Sequence, residues 1–410
     1  MENVATKNIL IRNITGVYKV SIIGDKMQLL HVCSYYIGNK IYKNLVDKLS
    51  NKGIEQLVYI PIKDSKLIGA NEIMDKSNVD YYYSNILKKK DKYFYKAKIK
   101  KQFKDILNKL IDTNFKPDII HAHTLFSDGG TAYLLKREYN INYIINIRNT
   151  DINTFYKYGL HLRSFIHKVL REASQIIFLS PKYKETFLSF IPPELKKRIQ
   201  YKCIVIPNGI NDYWFDEQGI LPERIVNKES EINLIQVGAI EKNKNYSKTI
   251  EVVKEMTEMD FSIKLNIIGD GNERENILNL IKEQNIEENV VYHGFIENKY
   301  NLDKLYSKSD IFIMPSFKET FGLVYVEALS RGLPIIYTRG QGIDGYFNEG
   351  EVGYSVNPFS SEEIENSIIK IVDNYNEITL RAVAAAQNFK WDDIAEDYLE
   401  KYIEFKGFEM

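Results

Sequence analysis

The sequence has little cysteine, no net charge and no long apolar run. Its two cysteines, Cys33 and Cys203, stand far apart and fit no metal-ligand spacing, so they read as buried, reduced thiols of a cytosolic protein. Lysine plus arginine and aspartate plus glutamate number 55 each. That balance gives no global reason to expect a nucleic-acid partner. No apolar stretch reaches the ~18 residues of a membrane span. Nothing at the N-terminus has the form of a signal peptide, which also favours a cytoplasmic location.

What is present is a chain of 410 residues with 44% hydrophobic content. At about 100–200 residues per domain, two domains are expected, each with a sizeable core. Ile9 to Ile14 and Val17 to Ile23 read as an N-terminal hairpin around Thr15-Gly16. Apolar runs then alternate with helical patterns. Strands are expected at 28–33, 57–60, 118–121, 143–147, 175–179 and 202–206. After Gly38 a helix is expected over 40–52, with Ile41, Leu45 and Leu49 on one face. A second series starts at Asn233, with strands at 234–238, 264–269, 290–296, 311–314 and 333–337. Alternation of this kind means doubly wound parallel sheets, with ligands at the carboxyl ends of the strands.

The stretch from Asp310 to Tyr346 carries the chemistry. Strand 311–314 ends at Pro315-Ser316, a polar loop follows, and a helical pattern runs from Gly322 to Arg331. The free N–H groups of Gly322 and Leu323, with the helix dipole, make a site for a diphosphate. Glu327 lies on the same face as Leu323 and is able to accept two hydroxyls of a ribose. Glu319 lies in the loop. A carboxylate beside a diphosphate is repelled unless a polyol lies between them, and a sugar on the far phosphate supplies one. Taken singly, each glutamate also reads as a solvated acid.

As a whole the stretch resembles the paired-glutamate signature, Glu-x7-Glu, of family 4 glycosyltransferases of the GT-B fold. The matching residues are Pro315, Ser316, Glu319, Phe321, Gly322, Leu323, Glu327, Ala328, Gly332 and Pro334. The resemblance implies two Rossmann-like domains facing a cleft. Residues 1–215 would bind the acceptor, 216–231 form the hinge, and 232–390 bind the nucleotide sugar. The amphipathic helix from Trp391, within 391–410, would cross back onto the first domain. Catalytic roles are implied for Glu319, His123 and Lys244. Donor contacts are implied for Thr320, Phe321, Gly322, Leu323, Glu327, Gly238 and Gly271. The backbone at Phe295 and Ile296 would read the base.

His123 follows His121 at the end of strand 118–121. Two histidines two apart are expected on opposite faces of the strand, which argues against a shared metal, and His121 is expected to be structural. Arg148 to Asp151 ends the next strand. It reads either as an acceptor site, with Arg148 on a phosphate and Asp151 on a hydroxyl, or as a turn with an Asx cap. Gly38 is grouped with these acceptor residues. The family's histidine near this point is missing. Ala239 stands where the family has an arginine that neutralises the leaving diphosphate, and Lys242 is the nearest substitute. No Asp-x-Asp occurs, so a metal-bridged diphosphate lacks its usual ligands and no metal or cofactor is expected.

Residues 86–104 hold nine lysines and one acid among aromatic residues. They read either as a solvated helix face or as a surface for an anionic membrane. The resulting expectation is a cytoplasmic retaining hexosyltransferase, peripheral at the inner face of the plasma membrane under the second of these readings. It would move a sugar from a UDP-sugar to a glycan or lipid-linked acceptor in polysaccharide or glycoconjugate synthesis. The alternatives are a nucleotide-sugar epimerase and a catalytically weak nucleotide-sugar-binding protein. A long carbohydrate phosphorylase is disfavoured by chain length.

Overall fold

Lys7–Asn13 (β1) and Gly16–Ile22 (β2) pair antiparallel, with Asn13 opposite Gly16. This is the expected hairpin; Ile14, Thr15 and Ile23 lie outside the described residues. The computed structural model describes residues 7–13, 16–22, 27–216, 226, 227 and 229–406. Most of the expected hinge, residues 217–225 and 228, therefore lies outside the description.

The chain forms two compact units. The first takes the chain up to Phe178, then Phe190–Ile206 and the stretch from Ile394 onward. Its sheet is Gln28–Val32 (β3), Glu55–Pro61 (β4), Val79–Ser84 (β5), Ile119–Ala122 (β6), Asn142–Ile147 (β7), Gln175–Phe178 (β8) and Cys203–Val205 (β9). All seven strands are parallel, in the order β5-β4-β3-β6-β7-β8-β9. Helices cover both faces of a sheet like this, so its inner strands are apolar almost throughout. Leu29, Leu30, Val32, Ile119, Ile120, Tyr143, Ile144 and Ile145 are fully buried. Strand β5 has no such run, because it is an edge with half-buried tyrosines, and sequence periodicity passes over it.

Helix Lys40–Asn51 is started by Asn39, whose side chain accepts from the Ile41 N–H. It buries Tyr42, Leu45, Val46 and Leu49. The buried stripe is thus turned slightly from the expected one, and Ile41 is only half-buried. Both cysteines are buried and free.

Helix Trp391–Phe405 crosses back to this first unit from Ile394 onward. Tyr402 shares a 2.7 Å hydrogen bond with His121 Nδ1, and Asn146 Nδ2 donates to the Tyr398 hydroxyl at 2.7 Å. Asn142 Nδ2 donates to the Phe405 carbonyl at 2.9 Å, and Lys52 pairs with Glu396.

The second unit holds Leu179–Ser189 and Pro207–Asp393. Its strands are Ile232–Val237 (β10), Ile263–Ile268 (β11), Val290–Gly294 (β12), Ile311–Met314 (β13), Ile335–Thr338 (β14) and Gly353–Val356 (β15). They are parallel, in the order β12-β11-β10-β13-β14-β15. Successive residues serve two cores, one on each face. Leu234 and Ile311 lie in one, Ile235 and Phe312 in the other. Strand order reverses between β3 and β6 in the first sheet and between β10 and β13 in the second. The carboxyl ends at such reversals are where open α/β sheets take ligands.

Candidate active site

In the second unit the reversal brings together the loops after β10 and β13. The loop after β10 forms a short 3-10 turn at Lys242–Lys244, which Gln236 holds by donating Nε2 to the Lys244 carbonyl at 2.9 Å. From it Lys244 Nζ reaches Glu319 Oε2 in the loop after β13, at 2.5 Å. The two side chains are 20% and 13% exposed, so the pair is sheltered but open to a ligand. Three residues that sequence reasoning missed fix Glu319. Its carbonyl accepts from the Gly342 N–H at 3.0 Å and the Tyr183 hydroxyl at 2.9 Å, and its N–H donates to Gln341 Oε1 at 3.3 Å. The Thr320 N–H donates to Glu319 Oε1 at 3.0 Å. None of these partners adjoins Glu319 in sequence except Thr320, and no local motif signals them.

Helix Leu323–Ser330 begins one residue later than expected, because Gly322 is its N-cap with φ +80. A Cβ there would sit 2.4 Å from the Tyr325 ring and 3.2 Å from Glu319 Cγ, so only glycine fits. Among the described residues, the N–H groups of Gly322 and Leu323 donate to no protein acceptor. Phe321 is buried and anchors the loop against Tyr346 and Phe389. Glu327 is half-buried. Burial pushes its carboxyl up to about 7, and the charge of Lys299 pulls it partly back.

The other predicted donor residues edge the same strand ends. Gly238 follows β10 with φ +156, and Gly271 packs so tightly that a Cβ would meet the Ile240 carbonyl at 2.3 Å. Phe295 is 72% exposed after β12, and Ile296 is half-buried. Ala239 is exposed, as is Lys242. Two arginines of this unit do not fill the missing cationic position. Arg331 is paired with Asp303 at 2.5 Å and Arg339 with Glu363 at 2.8 Å.

In the first unit, His121 and His123 share one face of the sheet. Their rings stack with centroids 3.9 Å apart. The expectation of opposite faces is corrected here, since side chains alternate with period two and residues i and i+2 point the same way. His31 on β3 joins them, and ligand atoms of the three rings lie within 4.8 Å of one another. Five of their six ring nitrogens are already engaged. His121 bonds Tyr402 through Nδ1 and Asn146 through Nε2, and His31 bonds His123 through Nδ1 and Gln56 through Nε2.

This chain fixes a tautomer. Gln56 donates its amide to the Val46 carbonyl, so its Oε1 accepts from His31 Nε2–H. A neutral His31 then accepts at Nδ1 from His123 Nε2–H at 2.9 Å. Burial lowers His31 to about 4 and His123 well below the usual range, so both rings are neutral. His123 Nδ1 is left as a buried acceptor without a protein partner.

Arg148 donates Nε to the His123 carbonyl at 3.3 Å and lies over the Tyr42 ring at 5.3 Å. Asp151 accepts from the N–H groups of Arg148, Leu125 and Phe126 at 2.9, 3.1 and 3.4 Å. That is the capping geometry the sequence left open beside acceptor binding. Burial raises Asp151 to about 6 against those bonds. Gly38 closes a turn by donating to the Tyr35 carbonyl at 3.1 Å.

Residues 40–213 match the family described as Glycosyltransferase Family 4, and residues 218–389 match Glycosyl transferases group 1. The chain belongs to the family 4 glycosyltransferases. An uncharacterized glycosyltransferase of Methanocaldococcus jannaschii is 26% identical to this glycosyltransferase over 304 residues, covering 70% of this chain and 75% of its own. The alpha-monoglucosyldiacylglycerol synthase of Acholeplasma laidlawii is 28% identical over 278 residues, covering 63% and 67%. An Anabaena protein solved in complex with UDP-glucose has the same fold. Its TM-score is 0.63 at 16% identity, covering 92% of this chain and all of its own. The fold is therefore GT-B, with two doubly wound units.

Proposed function

We propose that this glycosyltransferase moves a hexose from a UDP-sugar to a glycan or lipid-linked acceptor, with retention at the anomeric carbon. The observation that carries this is the Lys244–Glu319 pair beside the open N–H groups of Gly322 and Leu323. A diphosphate would bind those N–H groups and Lys244, and its sugar would lie against Glu319. Glu327, on the same helix, would take the ribose. Thr320, Gly238, Gly271, Phe295 and Ile296 would line the donor, and His123 would be the catalytic histidine of the first unit, with Nδ1 as its acceptor atom. Lysine and helix N-terminus would do the work of a metal.

The Anabaena complex supports UDP-glucose as the first donor to test, and the Acholeplasma relative supports a lipid acceptor. Ala239 favours a second reading, a nucleotide-sugar-binding protein of weak activity, because a cation that would stabilise the leaving group is missing. The deciding experiment screens nucleotide sugars by thermal unfolding, since a ligand of the folded state raises its stability. It then follows turnover of the best binder with and without a strong chelator. A UDP-sugar should stabilise the protein and turn over in both conditions. Stabilisation without transfer would leave the binding reading, and epimerised donor among the products would replace transfer with epimerisation.

A further inference from the structure

A cavity of about 180 Å³ opens in the first unit. Its lining includes Ser34 and Tyr35 after β3, Pro61 at the end of β4, Thr124 after β6 and Thr150 after β7. It therefore lies beyond the carboxyl ends of four neighbouring strands, across the point where the order of this sheet reverses. At ~30 Å³ per water it has room for about six waters, or for a small charged group and part of a ring.

Two lysines line this space, Lys98 and the exposed Lys63. Lys98 is half-buried, and its one hydrogen bond is to Ser127 Oγ at 2.6 Å. Among the described residues, neither lysine has a carboxylate within 4.0 Å. Burial holds Lys98 below the ordinary range; the charge of Asp128 pulls it back up, that of Lys63 pushes it down by less, and Asp91 adds a smaller upward pull. A half-buried cation without an ion-pair partner is costly, and a second cation facing the same cavity adds to that cost.

The nearby acids do not answer the charge directly. Asp128 is buried and accepts from the Ser34 hydroxyl at 2.5 Å and the Ser34 N–H at 3.3 Å. Asp151 is held by three backbone N–H groups. The two lysines outnumber Asp151, the one acidic residue that lines the cavity. Phe126, Phe155 and Tyr35 supply apolar walls beside it.

We infer that this cavity is an acceptor subsite for an oxyanion, a phosphate or carboxylate carried next to the hydroxyl that receives the sugar. Lys98 and Lys63 are its specificity-determining residues. The inference rests on the proposed transferase reading and names the acceptor class that reading leaves open. It also separates the cavity from the lysine-rich surface around it, since Lys98 faces inward.

The test titrates the full chain by calorimetry, at constant ionic strength, with inorganic phosphate and separately with malonate. Wild type, Lys98→Gln and Lys63→Gln are compared. The glutamine at 98 keeps a donor for Ser127 while removing the charge. At least one anion should bind wild type, and each substitution should weaken it about tenfold. The tighter anion identifies the source as phosphate or carboxylate. UDP affinity should be the same in all three proteins, which also shows that the variants fold. Binding of neither anion, or equal binding in the three proteins, overturns the subsite. Lysine-dependent anion binding in a protein that takes no UDP-sugar would instead sink the donor reading and leave the subsite standing.

Discussion

Glu327 carries its own pH signature. Its ordinary value of 4.5 is raised by burial to about 7 in the folded chain. The folded state therefore keeps a proton that the unfolded state has lost, so this group's contribution to stability falls as pH rises from about 4.5 to about 7. Ribose binding has the opposite sign, because the ionised carboxylate is the better acceptor. UDP affinity should rise as pH climbs through about 7, and Glu327→Gln should flatten that rise. At pH 8 the substitution should cost roughly 1.5–3 kcal/mol, about 10- to 150-fold in affinity, as expected for hydrogen bonds to a charged group. Calorimetric pH profiles of both proteins decide it, and parallel profiles would remove Glu327 from the ribose. Glu319 should behave differently, since it is proposed to touch the sugar rather than the nucleoside. Glu319→Ala should depress kcat by about 10²-fold or more while UDP affinity changes little. If UDP affinity collapses with kcat, the carboxylate instead holds Lys244 in place for the diphosphate. The sequence makes both glutamates visible through their eight-residue spacing. It does not show Tyr183, which fixes Glu319 from the helix Pro181–Phe190, or Gln341 and Gly342, which do so from the loop after β14.

Helix Tyr95–Thr113 divides the lysine-rich segment into an inner and an outer face. Ile99, Gln102 and Ile106 are buried, and Tyr95 donates to the Phe126 carbonyl at 2.7 Å with its ring against Phe126 and Phe165. Lys96, Lys100 and Lys104 are exposed, as are Lys88, Lys89 and Lys90 on the preceding turn. Tyr93 and Phe94, between the two lysine groups, are 75% and 62% exposed. Some aromatics of this segment therefore pack inward, while two project among lysines. No helix among the described residues is long and apolar enough to cross a membrane. Each lysine at an anionic surface contributes about 1 kcal/mol, and the attraction reaches only ~8 Å at physiological salt. The protein should bind vesicles containing phosphatidylserine and leave them as salt rises. Charge reversal at Lys89, Lys96 and Lys100 should abolish that binding, and vesicle co-sedimentation measures it. Equal sedimentation with neutral vesicles would reduce the segment to a solvated face. Composition alone drew attention to this stretch. Which aromatics turn inward was hidden, because that depends on Phe126 and Phe165, which come from elsewhere in the chain.

The two parallel sheets were legible because buried parallel strands need apolar runs, and most inner strands have one. The edges β5 and β15 were not: β5 is largely half-buried, and β15 is four residues long with a glycine and a serine in place of an apolar run. Harder to read is that neither unit is one continuous stretch of chain. The first unit needs the helix from Ile394, and Leu179–Ser189 belongs to the second. The C-terminal helix shows the energetic consequence. Tyr398 and Tyr402 are 3% and 0% exposed, and their hydroxyls partner Asn146 and His121 on the first sheet. Removing the helix would uncover those groups and leave His121 Nδ1, beside His123, without its partner. Losing even one buried aromatic side chain costs about 3–5 kcal/mol, and a whole domain is stable by about 5–15 kcal/mol. A fragment of residues 1–206 should therefore lack a cooperative unfolding transition. The same fragment with residues 391–410 joined through a flexible linker should regain one, and Tyr402→Ala within that fusion should lower its midpoint. Circular dichroism against urea compares the three. A sharp transition in the bare 1–206 fragment, equal to that of the fusion, would show that the helix only rests on a sheet that is stable alone.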